Sequence, residues 1–132
     1  MKIILLLNPT PAARPRVNRH HTFNPKSAIQ QRMSFEIKAQ LPNNYIPSIK
    51  PIILSLFFFM PIPKSLSKKK QTLLIGKPCI KKNGDIDNLC KIVLDASNGV
   101  LFRDDCQVYH LLTQKVYSDN PRIEIRLIEY EG

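Results

Sequence analysis

Five of the six aspartates in this chain, Asp85, Asp87, Asp95, Asp104 and Asp105, fall within one stretch that reads D-I-D-N-L-C-K-I-V-L-D-A-S-N-G-V-L-F-R-D-D-C-Q. A cluster of like charges is unfavourable in a compact fold unless something neutralises it. For small hard oxygen donors the usual neutraliser is a divalent cation, and carboxylates of this kind suit magnesium, with manganese as a substitute. The chemistry available to such a set is metal-assisted hydrolysis, in which a bound water loses its proton more readily and charge on a phosphate is offset.

The elements that must position these groups are readable from spacing. Asp85 and Asp87 are two apart, so an extended approach would put both carboxylates on one side of the backbone. From Asn88 onward Leu89, Ile92, Val93 and Ala96 follow helical spacing, and Asn98-Gly99 supplies a stop, with Gly99 suited to the left-handed residue after a helix end. On that helix Asp87, Lys91 and Asp95 form a polar line at i, i+4 and i+8, opposite the apolar face. A short turn then returns to Asp104-Asp105 before a strand. An EF-hand reading of D-I-D-N fails, because the sixth position lacks glycine and Ala96 stands where the bidentate glutamate belongs.

With 132 residues the chain suits a single domain, 1–132, with a real core. Its formal net charge is +10, but the division matters more. Residues 1–84 carry 15 basic side chains against one acid, Glu36, and residues 85–132 carry 5 basic against 9 acidic. A cationic surface beside a compact anionic pocket suits an enzyme that grips a polyanion and holds a metal. Three cysteines, Cys79, Cys90 and Cys106, with no C-x-x-C pair argue against a disulfide framework or zinc ribbon and for a reducing compartment. The apolar run Ile3–Leu7 is shorter than a signal core, and Ile52–Met60 is too short to span a bilayer. The expectation is a cytoplasmic protein with no membrane partner.

Lys2–Leu7 reads as a buried strand and 10–22 as a loop with Arg14, Arg16, Arg19 and His20-His21. Asn24-Pro25 reads as a helix start, and Ile29, Met33, Ile37 and Leu41 form its stripe, ended by Pro42. Ile52–Met60 is apolar at nearly every position, which predicts a central strand covered on both faces, or on one by a partner chain. Ser65 or Ser67 can cap a short helix carrying Lys68, Lys69 and Lys70. Residues 76–84 form a loop with Lys77, Lys81 and Lys82, and Gln107–Tyr117 and Arg122–Tyr130 read as two strands. In the last of these Ile123, Ile125 and Leu127 mark the buried face. The order β-α-β-α-α-β-β predicts an α+β fold, a small mixed sheet of about four strands with helices packed on it. The cationic loops at Arg14–Arg19, Lys68–Lys70 and Lys81-Lys82 are candidate clamps for a DNA backbone.

The joint pattern D-I-D-N-L-C-K, D-A-S-N-G and D-D-C-Q-V resembles the RusA family of Holliday-junction resolvases, in its phage-type branch. Lys115-Val-Tyr downstream, and Ala13-Arg-Pro-Arg16, Thr22-Phe-Asn-Pro25 and Pro61-Ile-Pro-Lys-Ser65 upstream, extend the likeness over nearly the whole chain. The resemblance implies a homodimer that makes paired, symmetric nicks in a four-way DNA junction during recombination and repair. It implies that Asp85, Asp87 and Asp105 bind the metal, with Asp104 as a further metal candidate, that Lys91 is essential, and that Asn88 and Asp95 occupy supporting motif positions. The chain departs from many members in having Asn83-Gly84 where they have Lys-Pro, and often in having Ser97 for leucine and Cys106 for alanine. None of these departures touches a ligand position. Two other readings remain at this point: a non-catalytic nucleic-acid-binding protein, and a nuclease for forks or flaps.

Overall fold

Ile52–Met60, interrupted only by Ser55, is the most apolar run of the chain and becomes the middle of its sheet. The computed structural model describes residues 1–10, 27–82 and 84–132, together with the strand backbone at 16–17 and 22–23. The elements run β1 (Lys2–Leu5), β2 (Arg16–Val17), β3 (Thr22–Phe23), α1 (Ser27–Ala39), β4 (Ile52–Pro61), α2 (Lys68–Leu74), α3 (Ile86–Ser97), a 3-10 turn (Asp105–Gln107), β5 (Val108–Ser118) and β6 (Arg122–Glu129). The main sheet has the order β1-β6-β4-β5. Strand β6 lies antiparallel to both β1 and β4, and β5 lies parallel to β4. A parallel pair needs a long crossover, and α2 and α3 supply it. The architecture is the expected α+β mixed sheet of four strands.

Helices α1 and α3 cover one face of the sheet. Met33 and Ile37 of α1, and Leu89, Ile92, Val93 and Ala96 of α3, close over Ile3, Leu5, Leu54, Leu56, Phe58, Ile123 and Ile125 in one core. The Ser34 hydroxyl donates to the Ala96 carbonyl at 2.8 Å and ties the two helices together. Ile29 of α1 packs at the core's rim, as does Leu41, which the stripe predicts within the helix but which lies two residues past its end at Ala39. The expected start at Asn24-Pro25 lies outside the described residues.

Several expectations need correction. Strand β1 is not buried throughout: Ile3 and Leu5 are buried, while Ile4 and Leu6 are exposed. It is an outer strand with helices on one side only. For the same reason β4 alternates buried and half-buried positions instead of being covered on both faces. On its second face the Arg122 guanidinium stacks over Phe59 at 3.7 Å and that of Arg126 over Phe57 at 5.4 Å. Within the chain, its own arginines thus lie over the phenyl rings of the face for which the sequence predicts cover in the sheet or by a partner chain. Glu124 is buried as well, held by Lys2 at 3.2 Å and Arg122 at 3.0 Å. The stretch 10–22 is not all loop, because Arg16–Val17 pairs with Thr22–Phe23.

Candidate active site

Helix α3 begins at Ile86, two residues before the expected Asn88, and its N-cap is Asp85. The alternation D-I-D is therefore not an extended approach. Asp85 has a β-region backbone, with φ −63° and ψ 135°, and Asp87 already lies in the first helical turn. Both carboxylates stand at the positive end of the helix, the favourable place for acidic groups. An N-cap aspartate ordinarily accepts a bond from the backbone two or three residues on. Asp85 makes no such bond. Its carboxylate is exposed and has no hydrogen-bond or ion-pair partner among the described residues. The other end of α3 is as expected: Gly99 has φ +74°, and its N–H donates to the Phe102 carbonyl at 2.7 Å, which turns the chain back toward Asp104.

Between the outer side of α3 and β5 lies a cleft of about 360 Å³, lined by Asp87, Lys91 and Asp95 of the helix, by Asp105, and by the apolar floor of Ile86, Cys90, Leu94, Leu111 and Thr113. The structure thus brings Asp87, Lys91, Asp95 and Asp105 into one wall, residues separated by up to a helix and a turn in sequence. Lys91 Nζ stands 3.4 Å from Asp95 Oδ2, an i,i+4 pair. Asp85 and Asp104 do not line this cleft. Among the described residues no three His, Cys, Asp or Glu side chains stand close enough together to form a ready-made metal cage.

The acid pair Asp104-Asp105 divides its labour. Asp104 caps the 3-10 turn: its side chain accepts from the Cys106 N–H at 3.3 Å, and its own N–H donates to Gln107 Oε1 at 2.9 Å. The bond from the Cys106 backbone, and after it a side-chain interaction with the neighbouring Asp105, hold the Asp104 carboxyl below its usual range. That leaves half-buried Asp105 to face the cleft. Gln107 also donates to the Ser48 and Lys50 carbonyls at 2.8 and 2.9 Å, tying the turn to the connection between α1 and β4.

Cys90 lies in the cleft floor, and burial raises its thiol, with the Asp87 carboxylate adding to this and the bond to Thr113 opposing it. Desolvation and the two carboxylates of Asp104 and Asp105 raise the Cys106 thiol. The charged donors that the cleft itself presents are the carboxylate oxygens of Asp87, Asp95 and Asp105. That donor chemistry fits magnesium or manganese better than a soft metal.

The basic candidates stand apart from the cleft. Ser67, not Ser65, caps α2 by accepting from the Lys70 N–H, and Lys68, Lys69 and Lys70 are exposed on its first turn. Lys68 and Lys64 line a hollow of about 450 Å³ against Ser118, Asp119 and Pro121. Lys81 and Lys82 border a hollow of about 310 Å³ with Met60, Cys79 and Gly84. Arg14, Arg19 and His20-His21 lie outside the described residues, as does the side chain of Arg16. Asn88 is half-buried in the first turn of α3.

Two residues that contact the segments around the site, Gln107 and Lys115, appear in the sequence only within motifs and without a role. Gln107 stands three after Asp104, the spacing of a capping box, and that signal was there to be read. Lys115, whose Nζ donates to the Gly84 carbonyl at 2.6 Å, follows no spacing rule. No helix among the described residues is long and apolar enough to cross a membrane.

A family model for endodeoxyribonuclease RusA matches residues 7–128. A Bacillus subtilis (strain 168) relative, "Uncharacterized protein YqaN", is 38% identical over 84 residues, which cover 60% of this chain and 58% of that protein. The chain thus matches less than two thirds of this relative's length. The family match runs from the end of the first apolar run to the last strand and takes in the helix, the cleft and the capped turn; this chain belongs to the endodeoxyribonuclease RusA family.

Proposed function

We propose that this protein is a divalent-metal-dependent endodeoxyribonuclease that resolves four-way DNA junctions in recombination and repair, acting in the cytoplasm as a homodimer that nicks both sides symmetrically. The observation that carries the reading is the cleft in which Asp87 and Asp105 converge beside Lys91. Asp87 and Asp105 are two of the proposed ligands. Asp85, one residue before the helix and with no capping bond to break, is the third. Asp104 is assigned to the turn instead, because its carboxylate already accepts a backbone bond.

A magnesium ion held by these oxygens supplies Lewis-acid polarisation of the scissile phosphate and lowers the pKa of a bound water. The residues do the rest. The α3 N-terminus turns its free N–H groups toward the anion, since the Asp85 side chain leaves them uncapped. Lys91, one turn in, gives up its surface pair with Asp95 to meet charge developing on the phosphate, and an exposed pair of that kind is worth only about 0.3–0.5 kcal/mol. Asp95 keeps Lys91 aimed into the cleft when DNA is absent. Lys68–Lys70, Lys81 and Lys82, with Arg14, Arg16 and Arg19, hold the flanking backbone.

The test is nicking of a synthetic four-way junction in magnesium, beside fork, flap and linear duplex substrates, for the wild type and Asp87→Asn. Symmetric nicks by the wild type alone support the proposal; cleavage confined to forks or flaps moves the substrate class. One observation favours a second reading, a non-catalytic nucleic-acid binder: no three acidic groups stand within ligating reach among the described residues. Junction binding without nicks in either protein would establish it.

A further inference from the structure

The segment joining α2 to α3 is stitched to the outer edge of β5. Gly76 N–H donates to the Tyr117 carbonyl at 2.9 Å, Tyr117 N–H to the Lys77 carbonyl at 2.9 Å, and Cys79 N–H to the Lys115 carbonyl at 3.1 Å. Beyond Cys79 the chain leaves the strand, with Ile80 90% exposed and Lys81 and Lys82 exposed as well. It is buried again at Gly84, whose carbonyl accepts from Lys115 Nζ at 2.6 Å. One residue therefore holds both ends of the excursion, Cys79 through its main chain and Gly84 through its ammonium.

Gly84 is seated closely, since a Cβ there would meet Met60 Cε at 3.3 Å. Its carbonyl belongs to the same peptide group as the Asp85 N–H, so fixing that carbonyl fixes where the Asp85 side chain starts. Asp85 has no capping bond of its own, and no restraint within α3 orients its carboxylate. Lys115 also has no carboxylate in ion-pair range among the described residues. A half-buried ammonium needs a partner, and here the partner is a main-chain carbonyl beside a proposed metal ligand.

We propose that Lys115 is a positioning residue for the cation-binding end of the site: by gripping Gly84 and Cys79 it sets the Asp85 carboxylate and presents Lys81 and Lys82. The inference rests on the metal role proposed for Asp85. A lysine that were only a nearby positive charge would repel a bound cation, so neutralising it would tighten cation binding. A positioning lysine has the opposite sign, because removing it frees the ligand.

The experiment is calorimetric titration of manganese into the full chain without DNA, for the wild type, Lys115→Met and Lys115→Arg, with thermal melts to verify folding. Lys115→Met is expected to bind manganese on the order of ten- to a hundredfold more weakly, the range seen when groups orienting metal ligands are lost. Lys115→Arg, which keeps a donor for the carbonyl, recovers most of the loss. Binding by Lys115→Met as tight as that of the wild type, or tighter, overturns the inference and leaves the metal site standing. A wild type that does not bind manganese overturns the metal reading and this inference with it. Should Lys115→Met not fold, Lys115→Gln makes the test, since its shorter, uncharged side chain withdraws the ammonium from the Gly84 carbonyl; weakened binding is expected, and unchanged binding refutes the positioning role.

Discussion

Replacing Gln107 by alanine removes three bonds at once, because its side chain accepts from Asp104 N–H and donates to the Ser48 and Lys50 carbonyls. A neutral intramolecular hydrogen bond contributes about 1 kcal/mol net where water is kept out, and less where water can take over. Only the Ser48 bond is partly buried, and the Ser48 carbonyl keeps a second donor in Arg103 N–H at 3.1 Å. The expected loss is therefore about 2 kcal/mol, not three full bonds, which for a chain of this size lowers the melting temperature by roughly 6–8 °C. Because the same bonds hold the turn that presents Asp105, the magnesium concentration needed for half-maximal nicking should rise as well. Gln107→Glu should do no better, since it would set a carboxylate against two carbonyls. Thermal melts by circular dichroism and a magnesium titration of junction nicking read the two effects. A melting temperature within a degree of the wild type, with an unchanged magnesium profile, would refute the assignment of Gln107 as the brace of the turn.

Other expectations separate the roles within the site. Asp104→Asn keeps a side-chain acceptor for the Cys106 N–H and should nick within a few-fold of the wild type, whereas Asp105→Asn should lose nearly all activity; equal losses in a junction assay would count against the division between cap and ligand. Burial pushes the Glu124 carboxyl up, but Lys2 and Arg122 outweigh it and hold the group below its usual value. Its folded pKa is depressed, so its contribution is complete above the unfolded value of about 4.3 and is lost as pH falls through the folded one. Glu124→Gln should accordingly cost about 1 kcal/mol at neutral pH, the half-exposed Lys2 holding the figure down, and the difference should vanish in urea melts run well into the acid range. Sedimentation at micromolar concentration should give a dimer, and a monomer there would remove the homodimeric part of the proposed function.

Much of this arrangement is legible in the sequence. Helix α3 announced itself through Leu89, Ile92, Val93 and Ala96, and Gly99 marked its end, because burial on one face imposes a 3.6-residue period. Its start is obscured in the sequence, since D-I-D alternates like a strand; Ile86 falls three before Leu89 and seven before Val93 but stays exposed at the rim. The motif ranks Asp105 above Asp104 as a ligand but gives no reason, because side-chain chemistry is identical in both; the backbone around them makes one a cap and the other a cleft acid. Phe57 and Phe59 called for cover in sequence, but that Arg126 and Arg122 would provide it depends on the cross-strand register of β4 and β6. Lys115 was seen as part of a motif and not as an anchor, for its partner is a carbonyl 31 residues away.

The closing of Cys79 and Gly84 on a single strand residue separates the tip of that excursion from the helix it precedes. Loop-closure entropy grows only slowly with length, so residues added beyond Ile80 would cost little while both anchors hold. The tip is therefore a natural place for grafting: sequences from other members could be exchanged there to alter which branched DNA is gripped, with the acidic helix left in register.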